Sequence, residues 1–347
     1  MKTLGHDVRL CVPPDFRDWI EGLGVAVTPL GPEVRHAMAA RPAGPSPRPS
    51  PEQVRDLIAT TVATQFSVIG EAAQGCDVIV AATALQVAAG SVAEKMGIPY
   101  IFAAYSPTVL PSSRHAPPPL PPVPGRTPLP ATSDNRELCF NETFGDALNA
   151  HRTAAGLAPI TDVQGYMFTG RPWLAADSTL GPWPDAGDDA VFQTGAWILR
   201  DDRPLSRDIE TFLDAGEPPV FFGFGSMHTS QDVSQVMIAA ARAVGRRAIV
   251  SRGWADLSVV DGDPDCLGIG ETNLQTLFTR VAAVVHHGGA GTTALAAQRR
   301  APSRGSARLR PALLGATYAR PRHRNCARLS HPDRRVVDDG PRAHAAA

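Results

Sequence analysis

Seven short apolar runs recur along this chain of 347 residues, and each is continuous rather than alternating. A strand with one face in water alternates apolar and polar residues, whereas a strand covered on both faces does not. Continuous runs separated by segments of helical pattern therefore predict parallel sheets with crossover helices. The first half carries VRLCV (8–12), DVIVAAT (77–83) and PYIFAAYS (99–106), with helices expected over 51–74 and 90–97. The second half carries PPVFFGFGS (218–226), RRAIVSRG (246–253), CLGIG (266–270) and VAAVVHH (281–287), with a helix expected over 234–245. An α/β chain with two doubly wound domains follows. The polar stretch 197–217 is the natural linker between a domain at 1–196 and a second at 218–298, and 299–347 stands apart as a tail.

With 43% hydrophobic residues the chain has enough apolar material for two cores. The formal charge of −1 conceals an asymmetry: residues 299–347 hold 12 Arg against three Asp and no Glu, which leaves residues 1–298 distinctly acidic. Basic nucleic-acid arms mix Lys with Arg, and Lys2 and Lys95 are the only lysines in the chain, so no nucleic-acid partner is expected. Five cysteines without C-x-x-C spacing read as unpaired thiols of a cytoplasmic protein, and no metal site is indicated. The most apolar stretch, 78–93, is shorter than the roughly 20 residues a membrane span needs, and no signal peptide begins at Met1. Two proline-rich segments, 41–51 and 106–130, read as long loops that either border a cleft or are simply solvated.

The chemistry concentrates in the second half. The run VAAVV ends at His286 and His287, and Gly288, Gly289 and Gly291 lead into a helix beginning near Thr292. A glycine turn from strand to helix lets backbone approach a ligand, and the free N–H groups with the helix dipole favour an anion, commonly phosphate. The same glycines also suit a plain tight turn. Neither G-x-G-x-x-G nor G-x-x-x-x-G-K-[ST] is matched, which removes dinucleotide and ATPase readings. A second turn, GFGSM (223–227), ends the first strand of the same half. Ligands of open α/β sheets sit outside the carboxyl ends of the strands, so both turns should face one crevice.

These residues carry a resemblance. GSVAEKMGIPYIFAAYSPTVLPS, TGAWIL, PPVFFGFGSM and above all GETNLQTLFTRVAAVVHHGGAGTT are similar to the nucleotide-sugar-dependent glycosyltransferases of the GT-B fold that act on sterols, glycopeptide antibiotics and mycobacterial lipids. The resemblance runs from about residue 4 to residue 298 and implies two Rossmann-like domains. It implies that His287, Gly288, Gly289, Gly291 and Thr292 hold the donor diphosphate, with His287 donating a hydrogen bond to a β-phosphate oxygen. Gly225 and Ser226 would supply a second phosphate contact, and Arg252 with Trp254 would lie where the family cradles the nucleotide base, unless Trp254 is simply packed. His286 is expected on the opposite face of its strand, and Asn273 as a helix cap. The implied reaction passes a sugar from a nucleoside diphosphate sugar to an acceptor hydroxyl of a small molecule or lipid, with inversion. No cofactor is required, and peripheral contact with the inner face of the membrane is left open.

Two departures from the family pattern matter. The family's G-x-R-G-D-like loop, whose carboxylate is the usual candidate base, has no counterpart in MKTLGHDVRLCVPPDF, so the first strand is expected to be missing and no catalytic residue is assigned. Beyond Gln298 the family's small-residue turn, short strand, acidic-Gln pair and L-G-x-G segment do not follow. Back-translating Pro302 to Gly315 and reading one base later permits P-V-V-A-P-L-D-Y-D-Q-P-Y-W-A, and continuing through Arg328 permits L-G-I-G-T-A-H. A reading-frame shift near residue 299 is the expectation, with both domains incomplete, a tail without structure, and little transfer by the chain as written. The alternatives are an inactive remnant or interaction protein and, more distantly, an epimerase of the same fold.

Overall fold

The computed structural model describes residues 1–34, 50–82, 86–115, 132–185, 190–225, 232–254 and 262–298. The expectations for Ser226 and for the tail 299–347 lie outside the described residues. Every strand pairing is parallel, as continuous apolar runs demand.

In the first half, β1 (Arg9–Val12) pairs with β2 (Ala26–Pro29) across α1 (Arg17–Gly22). A separate sheet runs β3 (Ile79–Ala82), β4 (Tyr100–Ala104), β5 (Trp173–Leu174), β6 (Phe192–Gln193) in spatial order. Helix α2 (Pro51–Ala72) precedes β3 and starts with reciprocal bonds: Ser50 Oγ accepts from the Gln53 N–H while the Ser50 N–H donates to Gln53 Oε1. Proline at its first position costs nothing, because that N–H would be unpaired in any case. The stretch 78–93 divides between β3 and α3 (Ala89–Met96), and among the described residues no helix is long and apolar enough to cross a membrane. Before β5 come α4 (Ser133–Ala154) and α5 (Val163–Phe168), whose Phe140, Leu148, Met167 and Phe168 pack on Phe102 and Leu174.

Helix α4 is polar through most of its length, and its last turn places a charge inside the protein. Arg152 is 2% exposed. Its Nη1 donates to Ser91 Oγ (2.9 Å), Glu94 Oε2 (2.9 Å) and Tyr166 Oη (2.8 Å), and its Nε to the Ala158 carbonyl (2.8 Å). Tyr166 in turn donates to Glu94 Oε2 at 2.6 Å. One guanidinium thus fastens α3, α4 and α5 together. Hydrogen bonds from Arg152 and then Tyr166 hold the Glu94 carboxyl below its ordinary range.

In the second half the sheet order is β10 (Ala283–His286), β7 (Val220–Gly223), β8 (Ala248–Ser251), β9 (Cys266–Ile269). Both faces are covered, which explains the unbroken runs. Val220, Phe222 and Val250 pack with Ile238 of α7 (Asp232–Ala243), while Phe221 and Ile249 pack with Ala296 of α9 (Ala290–Gln298) and Leu277 of α8 (Leu274–Phe278). The segment expected as a linker is fastened to this second sheet. Its helix α6 (Arg207–Asp214) buries Ile209 and Leu213 in the core of Phe221 and Ile249. Asn273 caps α8 through the Thr276 N–H (3.0 Å), as expected, and also donates from Nδ2 to the Asp201 and Arg203 carbonyls at 2.8 and 2.7 Å. Cys11, Cys76, Cys139 and Cys266 are free thiols.

Candidate donor site

Strands β7 and β10 are neighbours, with Val285 opposite Phe222 and His286 opposite Gly223. The chain leaves β7 toward α7 on one face and leaves β10 into α9 on the other. A crevice opens between adjacent parallel strands whose helices depart to opposite faces. Both glycine turns lie there, at the carboxyl ends of the two strands.

A third turn joins them. After β8, Gly253 and Trp254 fold under Gly225, and the Trp254 N–H donates to the Gly225 carbonyl at 3.0 Å. A Cβ on Gly253 would stand 2.4 Å from that carbonyl oxygen, and Gly253 holds φ +57°, so only glycine lets the two backbones touch. Sequence reasoning named Trp254 and passed over Gly253. The available signal was the glycine two positions past the apolar run AIVS, where a close backbone approach is a standard reading.

His287 is the wedge of the site. A Cβ on Gly225 would lie 3.1 Å from His287 Cε1, and one on Gly289 would lie 2.5 Å from Nε2, so the imidazole fills the space that two absent side chains leave. Its Nδ1 is buried with no hydrogen-bond partner. A buried polar atom without a partner at a ligand crevice marks a demand for one.

Helix α9 begins at Ala290, two residues earlier than expected, and its first bond runs from the Thr293 N–H to the Gly289 carbonyl at 2.9 Å. The N–H groups of Gly289, Ala290, Gly291 and Thr292 precede that bond and have no intrahelical acceptor. They present the positive end of the helix dipole to the crevice. One expectation changes in detail. The Gly288 N–H is not free for phosphate, because it donates to His286 Nδ1 at 3.1 Å. The hydroxyl that turns back on the Gly289 carbonyl belongs to Thr293 (2.9 Å) rather than Thr292. Gly291 is exposed and a Cβ there would meet nothing within 4 Å, so the fold itself does not require glycine at that position.

The base region is less open than the resemblance implies. The Trp254 ring lies 6.2 Å from Phe16 of the first half, so part of its face is already engaged. Arg252 is exposed, and its N–H extends the β8–β9 ladder to the Ile269 carbonyl at 2.9 Å. His286 is 2% exposed, packed as expected.

No protein-family model matches the chain. Among curated proteins, the vancomycin aglycone glucosyltransferase of Amycolatopsis orientalis is 46% identical over 309 residues, covering 87% of this chain and 74% of that protein. The chain belongs to the glycopeptide-antibiotic glycosyltransferases. A second member of these glycosyltransferases, the dTDP-epi-vancosaminyltransferase of the same organism, is 42% identical and covers 85% of this chain and 70% of its own length. The glycosyltransferase fold is also that of the solved kitacinnamycin glycotransferase, with a TM-score of 0.56 at 15% identity over 85% of this chain and 71% of that one. The parallel α/β architecture of this glycosyltransferase is therefore the GT-B one.

Proposed function

We propose that the crevice between β7 and β10 is the donor site of a transferase that takes a hexose from dTDP or UDP and passes it to a hydroxyl of a glycopeptide acceptor with inversion. The observation that carries this reading is the imidazole of His287 wedged between Gly225 and Gly289, beside four N–H groups without intrahelical acceptors. The names of the relatives supply dTDP as a donor nucleotide and vancomycin aglycone as an acceptor, and UDP is the second donor nucleotide proposed. A growing negative charge on a leaving diphosphate is stabilised by donors already in place, which is the contribution these residues make. The boundaries 1–196, 197–217 and 218–298 belong to the same proposal.

Calorimetric titration of the purified chain with dTDP and UDP tests it. His287→Ala should weaken binding about 10- to 150-fold, the worth of one hydrogen bond to a charged group. Gly291→Ala separates site from scaffold. It should leave the fold as stable or raise it by about 0.5–1 kcal/mol, because a helical glycine is replaced, yet weaken dTDP binding if phosphate approaches the backbone there. Unchanged binding in both variants would place the diphosphate elsewhere.

The chain as written is proposed to transfer sugar poorly. The alternative frame over Pro302 to Gly315 supports this. Resequencing the locus and expressing the chain with the alternative frame restored should raise transfer from near zero to a rate typical of the family. An intact locus with no gain from the restored frame would sink this part.

A further inference from the structure

His286 precedes the donor turn and has no place in the roles assigned so far. It is 2% exposed, and its Nδ1 accepts the Gly288 N–H at 3.1 Å while its Nε2 is buried without a partner. The backbone N–H can only donate, so Nδ1 must be bare and the ring proton must sit on Nε2. The other tautomer would set two donors against each other. We propose that His286 is a positioning residue for the donor site: as the neutral Nε2–H tautomer it holds the Gly288 N–H and thereby aims the N–H groups that follow it into the crevice.

The geometry explains why a histidine serves here. Gly288 holds φ +90°, in the left-handed region that glycine alone adopts freely, and its N–H is spent on His286. Were that N–H loose, the turn would have a second way to satisfy it, by rotating toward the crevice and taking the following donors out of line. The bond to His286 removes that option from behind, using a side chain on the same strand. Burial and then the neighbouring His287 press the His286 imidazolium below its ordinary pKa, which keeps the accepting form in place at neutral pH.

The inference rests on the donor-site reading, and its test keeps the two apart. Asparagine carries Oδ1 on the same carbon that carries Nδ1 in histidine, so His286→Asn retains the acceptor. Leucine matches its size without one, and glutamine places its acceptor one bond too far. Titrated with dTDP, His286→Asn should stay within about threefold of the unaltered chain, while His286→Leu and His286→Gln should lose about tenfold or more. Near-ultraviolet circular dichroism checks that each variant is folded. On the unaltered chain, long-range 15N–1H spectra should show one of the 10 histidines as a neutral Nε2–H tautomer whose signals vanish in His286→Asn. That second measurement tests the tautomer on which the assignment stands, and the glutamine variant tests the positioning, even if the leucine variant does not fold. An Nδ1–H tautomer or an imidazolium at neutral pH, or equal dTDP affinity in folded His286→Leu, overturns the assignment of His286 alone. Failure of the unaltered chain to bind dTDP or UDP overturns the donor site, and with it the purpose given to His286.

Discussion

Arg152→Met should lower the stability of the chain by about 3 kcal/mol, the low end of what breaking a buried ion pair costs. The low end applies because Glu94 is 43% exposed and water can take over part of the lost partner's work. What water cannot replace is the geometry. The guanidinium meets Ser91, Glu94 and Tyr166 through Nη1 and the Ala158 carbonyl through Nε, with its centre 4.8 Å from the Tyr166 ring centroid. Arg152→Lys keeps the charge and loses the fork, so it should recover only part of the deficit. The pH dependence has a definite sign. The Glu94 carboxyl sits below its ordinary value of 4.5, so the stability it contributes is present above that value and is lost as pH falls through its folded pKa. The gap between the unaltered chain and Arg152→Met should narrow in that acid window. Thermal melts at pH 7 and below pH 4 check both statements, and a constant gap would count against Glu94 as the partner that matters.

Gly253→Ala should be the most damaging single change near the crevice. A side chain there carries a left-handed backbone cost of about 1–2 kcal/mol and also collides with the Gly225 carbonyl oxygen at 2.4 Å. Backbone must move, the Trp254 N–H bond is lost, and Gly225 shifts off the imidazole of His287. A stability loss of about 2–4 kcal/mol together with at least a tenfold weaker grip on dTDP is expected. Gly245 supplies the control, since it holds φ +65° with nothing within 4 Å of a Cβ. Gly245→Ala bears the conformational cost alone and should leave dTDP binding unchanged. If Gly253→Ala behaves no worse than Gly245→Ala, the three turns do not form one packed junction.

Much of this arrangement can be read from the sequence, and the parts that cannot share a cause. The runs around Val220, Ile249 and Val284 are legible because burial on both faces leaves a local mark, a continuous apolar string. The strands β5 and β6 have two residues each and leave no such mark; their existence depends on β4 lying alongside. Helix α4 is hidden by its polarity, because the charge it buries is satisfied by Ser91 and Glu94, some sixty positions earlier in the chain. The same holds in the site. His287 and its glycines announce themselves as a motif, whereas the need for Gly253 arises only from contact with Gly225, and the service of His286 only from the direction of one N–H.

Strand β10 carries the donor turn, and among the described residues it is bonded only to β7 and stands at the end of the strand order. Border strands open more readily than central ones, since fewer neighbours must be displaced for their amides to reach water. Among the described residues the crevice is thus built half on β7, which lies between β10 and β8, and half on β10, which has β7 alone beside it. Bound diphosphate should slow deuterium uptake at Ala283 to His286 far more than at Val220 to Gly223. In that sense the ligand completes the sheet as much as the sheet holds the ligand.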